Sequence, residues 1–233
     1  IDLYDGCVAE FDDEVGKMLR HLEACGLSSN TIVVVYSDHG MEFFEHDTWG
    51  QGNSVFGDYS ARIPLIIADP RQPPVGVVTH ITRSIDIAPT LLQLIGFEPP
   101  PAMDGTSLLP YISGNAVDLD LAAFNETGIW LTDLPGTPEN HLRYPDLIEL
   151  LEVPDKQKGT LAIKPEYASV VVQAKDRMIR TKQWKLVYQA MNEENLYSLF
   201  DIINDPECHQ DVALQYPDIF LALKKRLLYW IKR

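Results

Sequence analysis

Positive charge is scarce in this chain. Its 233 residues hold 19 Lys and Arg against 34 Asp and Glu, a formal net charge of −15. A surface built to grip nucleic-acid phosphates needs clustered Lys and Arg, so that partner class is excluded. Cysteine is equally sparse: Cys7, Cys25 and Cys208 form an odd, scattered set without metal-ligand spacing. The set reads as buried free thiols rather than a disulfide framework, which favours a reducing, cytoplasmic compartment over an oxidising one such as the periplasm. No apolar run is long enough to span a bilayer. The opening Ile1-Asp2-Leu3-Tyr4-Asp5 has neither the basic start nor the apolar centre of a signal peptide. The first residue is not Met, and an upstream portion is expected.

What is present is organised around Thr31 to Gly52. Thr31-Ile32-Val33-Val34-Val35 is too short and too branched for a helix, and reads as a strand buried on both faces. It runs into Ser37-Asp38-His39-Gly40. In open α/β sheets ligands bind beyond the carboxyl ends of the strands, and a carboxylate beside an imidazole in a turn can share one divalent cation. The plain alternative makes Asp38 a cap and His39 a hydrogen-bonded loop histidine.

The periodicity predicts an amphipathic helix over residues 4–25, with Val8, Phe11, Val15, Met18 and Leu22 on one stripe and Gly26 as its C-cap. Asp12 and Asp13 then lie on a solvated face, since adjacent helical residues do not face each other. Residues 43–59 are expected to be irregular, 61–68 and 75–81 to be strands, and Asp86 to cap a helix with Pro89 in its first turn and Gly96 after its end. Residues 125–166, punctuated by Pro135, Pro138, Pro145, Pro154 and Pro165, read as a long excursion with one short helix at 147–151. Within it His141, Arg143 and Trp130 are substrate-contact candidates of low rank. Strands at 169–173, 177–181, 184–189 and 196–200 form an antiparallel meander, followed by a terminal helix carrying Phe220, Leu223, Leu227 and Trp230. Asn125-Glu126-Thr127 matches the glycosylation sequon, a short and common motif.

Asp38-His39-Gly40, Glu45-His46, Trp49-Gly50 and Arg62-Ile63-Pro64-Leu65-Ile66-Ile67 together resemble the sulfatase branch of the alkaline phosphatase superfamily. Ser84 to Leu92, Met103 to Pro110, Met178-Ile179-Arg180-Thr181, Trp184-Lys185-Leu186-Val187 and Asp205-Pro206-Glu207 extend the resemblance over nearly the whole chain. It implies an α/β fold: part of an alkaline-phosphatase-like sheet with flanking helices, then a small C-terminal antiparallel sheet and a terminal helix. The implied division is 1–124 for the C-terminal half of the catalytic domain, 125–166 for the excursion and 167–233 for a C-terminal subdomain.

The resemblance further implies hydrolysis of sulfate esters with a divalent metal ion (Ca2+, Mn2+ or Mg2+). Asp38 and His39 match two of its ligands, and His39 doubles as the catalytic candidate. The family's Cys/Ser-x-Pro-x-Arg setting, which supplies the nucleophile as formylglycine, has no match here, and Cys7 lies in a helix. Formylglycine and the remaining ligands are therefore expected only upstream, and the fragment alone is expected to be inactive. Gln51 stands about twelve residues after His39, where related enzymes carry Lys or His against the substrate's charged group. Gln51, Asn53 and His46 are the substrate-binding candidates. The expected ligand is a small-molecule or sugar sulfate or phosphate ester, and a homo-oligomer would cover exposed strand edges. Two alternatives stand beside this one: a phosphodiester or phosphonate monoester hydrolase or phosphoethanolamine-type transferase, and a truncated, non-catalytic domain.

Overall fold

The computed structural model describes residues 1–52, 54–114, 118–130 and 137–232. Asn53, a substrate-binding candidate, and Pro135 lie outside them. In chain order come α1 (Asp2–Ala24), β1 (Val33–Tyr36), β2 (Glu42–Phe43), β3 (Trp49–Gly50), β4 (Leu65–Ala68), α2 (Ile87–Leu94), α3 (Leu109–Ile112) and β5 (Ala123–Glu126). Then follow α4 (Leu147–Leu150), β6 (Leu151–Asp155), β7 (Thr160–Ile163), α5 (Pro165–Gln173), β8 (Arg177–Arg180), β9 (Trp184–Gln189), β10 (Leu196–Asp201) and α6 (Pro217–Ile231). The chain divides into two units, one of residues 1–38 and 63–119, the other of residues 39–62 and 120–233.

In the first unit α1 forms as expected, with Asp2 and Asp5 at its positive end. It ends in a Schellman turn: Gly26 takes φ +69°, and the Leu27 N–H donates to the Leu22 carbonyl at 2.9 Å. The expected apolar stripe is present but uncovered, with Val8, Phe11 and Met18 each half exposed or more. β1 pairs antiparallel with β4, Val33 opposite Ala68 through Tyr36 opposite Leu65. Contrary to expectation it is not buried on both faces: its residues are half-buried and Tyr36 is 53% exposed. One partner strand covers one edge and supplies no layer above or below.

The strand expected at 75–81 does not form, and Val77 stands 91% exposed. Gly76 at φ +79° breaks the run, and among the described residues no strand pairs with it. Asp86 sits at the N-terminus of α2, but its carboxylate does not cap that helix. It turns back to accept from Arg83 and from the Thr106 N–H.

The second unit is built on one antiparallel sheet in the order β10-β9-β8-β5. The meander was expected; β5 as its fourth strand, taken from the start of the excursion, was not. Alternation sorts its side chains onto two faces. Ile179, Leu186 and Leu199, all fully buried, pack against Leu223 and Leu227 of α6. Met178, Val187 and Phe200 face the other way and pack with Val55 and Cys208. Both faces are thus covered, and residues 55 and 56 provide part of the second cover, Phe56 meeting Phe200 edge to face at 5.9 Å.

The short helix expected at 147–151 is α4, and the hairpin of β6 and β7 follows it. Pro154 removes a ladder donor from β6, and the register shifts between Glu152 and Asp155. Residues 169–173 are helical rather than extended. Pro165 opens α5 at a position where its missing N–H costs nothing, and only Val171 of its branched run is buried. Of the three cysteines, Cys208 is buried as expected, whereas Cys7 and Cys25 are exposed.

Candidate active site

Asp38 follows β1 at the end of the first unit and is exposed; Ser37 Oγ lies 3.5 Å from its Oδ1. His39 opens the second unit and is half-buried. Its Nδ1 is 2.7 Å from the Gly40 carbonyl oxygen. A carbonyl only accepts, so Nδ1 carries the proton and the neutral ring keeps its lone pair on Nε2. Gly40 is dictated by close approach: a Cβ there would stand 1.8 Å from the Tyr59 carbonyl oxygen, while its N–H donates to the Ser60 carbonyl at 2.9 Å.

β2 and β3 form a two-residue hairpin around a loop that holds three non-glycine residues in the left-handed region, Phe44 (φ 76°), His46 (φ 53°) and Asp47 (φ 58°). Each such residue costs about 1–2 kcal/mol relative to right-handed backbone. The loop offsets part of this internally. The Phe44 N–H donates to Thr48, Thr48 N–H and Oγ1 both donate to the Glu45 carbonyl, and the Phe43 N–H donates to the Glu45 carboxylate. Glu42 is buried at 1% exposure. Burial pushes its carboxyl up from the usual range, against the opposing hydrogen bonds of Thr48 and Ser60.

His46 lies against Phe56, Tyr59 and His209, and its Nε2 is 3.7 Å from Glu207 Oε2. Burial pulls its pKa down, more strongly than the Glu207 carboxylate raises it. Tyr59 Oη donates to both oxygens of Glu207 at 2.5 Å, and this bond pushes the phenol up to about 12. Gln51 is exposed just beyond the hairpin, and the Gly52 N–H donates to Ser60 Oγ at 3.0 Å.

The loop then meets a charged cluster that sequence reasoning missed. Lys185 is fully buried, yet its ammonium has three acceptors, Asp58 Oδ1 at 2.7 Å, the Val55 carbonyl at 3.3 Å and the Gly57 carbonyl. Arg180 Nε takes the other Asp58 oxygen at 3.1 Å. Burial pushes the Asp58 carboxyl up, but Lys185 and Arg180 together outweigh it and hold it low. One sequence signal was available: Lys185 shares an inward strand face with Val187, a place where an unpaired lysine is not tolerated.

Of the lower-ranked candidates, His141 is fully buried, with Nε2 2.8 Å from Asp176 Oδ1 and Nδ1 2.8 Å from the Leu142 carbonyl oxygen. It is a packing residue, with the Trp130 ring 4.7 Å away. Thr127 of the sequon is buried and accepts from the Asp176 N–H.

A family model described as Sulfatase matches residues 1–97, the segment holding Asp38, His39 and Gln51. Arylsulfatase K of Canis lupus familiaris is 27% identical over 224 residues, 96% of this chain and 35% of that protein. Residues 1–97 thus match the sulfatase family, and over nearly its whole length the chain is similar to an arylsulfatase. Within the wider superfamily, the multifunctional alkaline phosphatase superfamily protein PehA of Trinickia caryophylli is 36% identical over 112 residues, 47% of this chain and 21% of that one. The fold matches the crystal structure of a phosphonate monoester hydrolase of Agrobacterium radiobacter at TM-score 0.68 and 26% identity, over 97% of this chain and 40% of that one. The sulfatase-like α/β fold with a C-terminal sheet and helix is therefore as expected. The chain spans about a third of the length of the arylsulfatase K that it matches. Among the described residues no helix is long and apolar enough to cross a membrane.

Proposed function

We propose that this chain is the C-terminal part of a metal-dependent hydrolase of sulfate esters, with Asp38 and His39 as two ligands of a divalent cation (Ca2+, Mn2+ or Mg2+). The observation that carries the reading is the Asp38-His39-Gly40 segment after β1. There the carbonyl of Gly40 fixes the histidine tautomer that leaves Nε2 as a metal donor. A carboxylate with an imidazole is a donor pair suited to a divalent ion. Among the described residues no group of three or more His, Cys, Asp or Glu is arranged to hold a metal, so the pair supplies part of a shell. A bound cation would polarise an ester oxygen and offset charge on the leaving group.

Residues 1–124 belong, in this reading, to the C-terminal half of the catalytic domain, 125–166 to a proline-rich excursion and 167–233 to a C-terminal subdomain. The formylglycine nucleophile lies in sequence outside this chain, and the isolated chain does not turn over. Gln51 contacts the substrate's charged group, with His46 and Asn53 close to it in sequence. Its amide offers hydrogen bonds without charge, which suits a monoanionic ester such as a small-molecule or sugar sulfate better than a dianionic phosphate. A phosphonate monoester is also monoanionic, and the likeness to the phosphonate monoester hydrolase and to PehA favours it as the second reading.

The test is equilibrium binding of methyl sulfate, a monoanion, and methyl phosphate, a dianion at pH 8, to the Mn2+-loaded chain. Methyl sulfate is expected to bind in preference, and Gln51→Lys to strengthen methyl phosphate binding about tenfold, the value of one charge-assisted hydrogen bond over a neutral one. Equal affinity for both anions, unchanged in the variant, would remove Gln51 from the site.

A further inference from the structure

The second unit contains a buried cation with no place in that reading. β8 and β9 pair in a register that sets Arg180 directly opposite Lys185. Like charges in directly opposed positions destabilise a sheet unless an anion stands between them. Asp58 is that anion, and it comes from the loop between Gln51 and Arg62 rather than from the sheet. One carboxylate oxygen takes each cation. Lys185 goes further. Its ammonium pairs with the Asp58 carboxylate and donates to the Val55 and Gly57 carbonyls, all on this loop.

In this loop Gly52 and Gly57 sit at φ +67° and +60°, and its described residues belong to no strand or helix. Its other anchors include Val55 and Phe56 in the sheet's second core and the bonds that Ser60 makes to Gly40 and Gly52. The Gly128 N–H also donates to the Gly52 carbonyl at 2.8 Å, and the Arg62 N–H to the Asp58 carbonyl at 2.7 Å. Tyr59, next to Asp58, reaches Glu207, which in turn faces His46. The path runs from the C-terminal sheet through Asp58 to the backbone on either side of Gln51.

We infer that Lys185 is a positioning residue: with Asp58 it fixes the loop of residues 51–60, and so presents Gln51 and His46. The shaping of the loop stands on geometry alone; that the loop serves an anion site rests on the proposed function. The C-terminal sheet is on this account the anvil on which half of the site is formed, and Lys185 acts through the loop without touching substrate.

The test compares the 233-residue chain with Lys185→Met, Asp58→Asn and the double variant. Amide hydrogen exchange is read at Gly52 and Phe56 in the loop, and at Leu199 and Leu223 in the sheet and α6. Either single substitution is expected to speed exchange in the loop at least tenfold while Leu199 and Leu223 stay within about twofold. The double variant should be no worse than the worse single one, because the pair is lost once. In the Mn2+-loaded chain, Lys185→Met should weaken methyl sulfate binding at least tenfold with Mn2+ affinity unchanged.

Loop exchange within twofold of wild type in both single variants overturns the inference, as does acceleration shared equally by the sheet and α6. Methyl sulfate affinity retained despite a loosened loop does so too. If Lys185→Met does not fold, the double variant carries the same comparison, and failure of all three to fold assigns Lys185 to bulk stability instead. Wild-type chain that binds no methyl sulfate would defeat the functional reading, while the exchange comparison would still decide the role of Lys185.

Discussion

Replacing Asp86 by Ala should cost the first unit about 3–5 kcal/mol, the range for breaking a buried ion pair by removing one partner. Asp86 is fully buried and carries four short bonds. They come from the Arg83 N–H at 2.9 Å, Arg83 Nε at 2.9 Å, Arg83 Nη2 at 2.6 Å and the Thr106 N–H at 2.8 Å. The substitution leaves a guanidinium whose side chain is only 16% exposed facing a void, together with two backbone donors. A single stranded donor costs about 1–3 kcal/mol, so the ion-pair range is the combined figure rather than a sum. With a urea m-value of about 2 kcal/mol/M, the midpoint should fall by roughly 2 M. Circular dichroism follows the global transition, and amide exchange along α2 reports the local one. Arg83→Met with Asp86→Met should recover most of the loss, because a buried pair replaced by apolar groups is often neutral. A midpoint shift under about 0.5 M for Asp86→Ala alone would refute the reasoning.

Two further predictions concern protons. Glu42, buried with its carboxyl pushed up, releases its proton at higher pH in the folded chain than in the unfolded one. The folded state therefore binds more protons across that window, and stability falls as pH rises from the ordinary carboxylate range through the raised value. Glu42→Gln should raise the urea midpoint at pH 8 more than at pH 4, and an equal or smaller gain at pH 8 would contradict this. Tyr59, held by Glu207 and pushed up to about 12, keeps its proton beyond an unfolded tyrosine. Its contribution to stability is full below pH 10 and is lost as pH rises towards 12. Ultraviolet titration should show one tyrosine with a midpoint near 12 that Tyr59→Phe removes and Glu207→Gln lowers; an unchanged curve in Glu207→Gln would exclude the bond.

Elements with a single strong local signal were legible in the sequence. β8, β9 and β10 alternate, α6 carries a clean apolar stripe, and the one-turn α4 is announced by Asp146 and an apolar pair. Where two signals conflicted the reading failed. Val170-Val171-Val172 is branched like a strand, but Pro165 starts a helix and the fold buries only Val171. Residues 75–81 have strand composition but no partner strand among the described residues. Pro154 hid the β6–β7 hairpin, which absorbs it at a register shift. At the candidate site the Asp38-His39-Gly40 segment was readable because its residues are contiguous and Gly40 admits no side chain. The Asp58, Lys185 and Arg180 cluster was not, because a loop and two distant strands meet there and no local period marks the pairing.

The most direct test of the account is a calorimetric titration of the purified chain with Mn2+, repeated on Asp38→Ala and His39→Ala. Because Asp38 and His39 are proposed as the cation's donors, one Mn2+ should bind the wild-type chain, and each substitution should weaken it at least tenfold, with His39→Ala leaving the far-UV spectrum unchanged. Mn2+ affinity that neither substitution alters would contradict the central claim and place any bound cation elsewhere on this acidic surface.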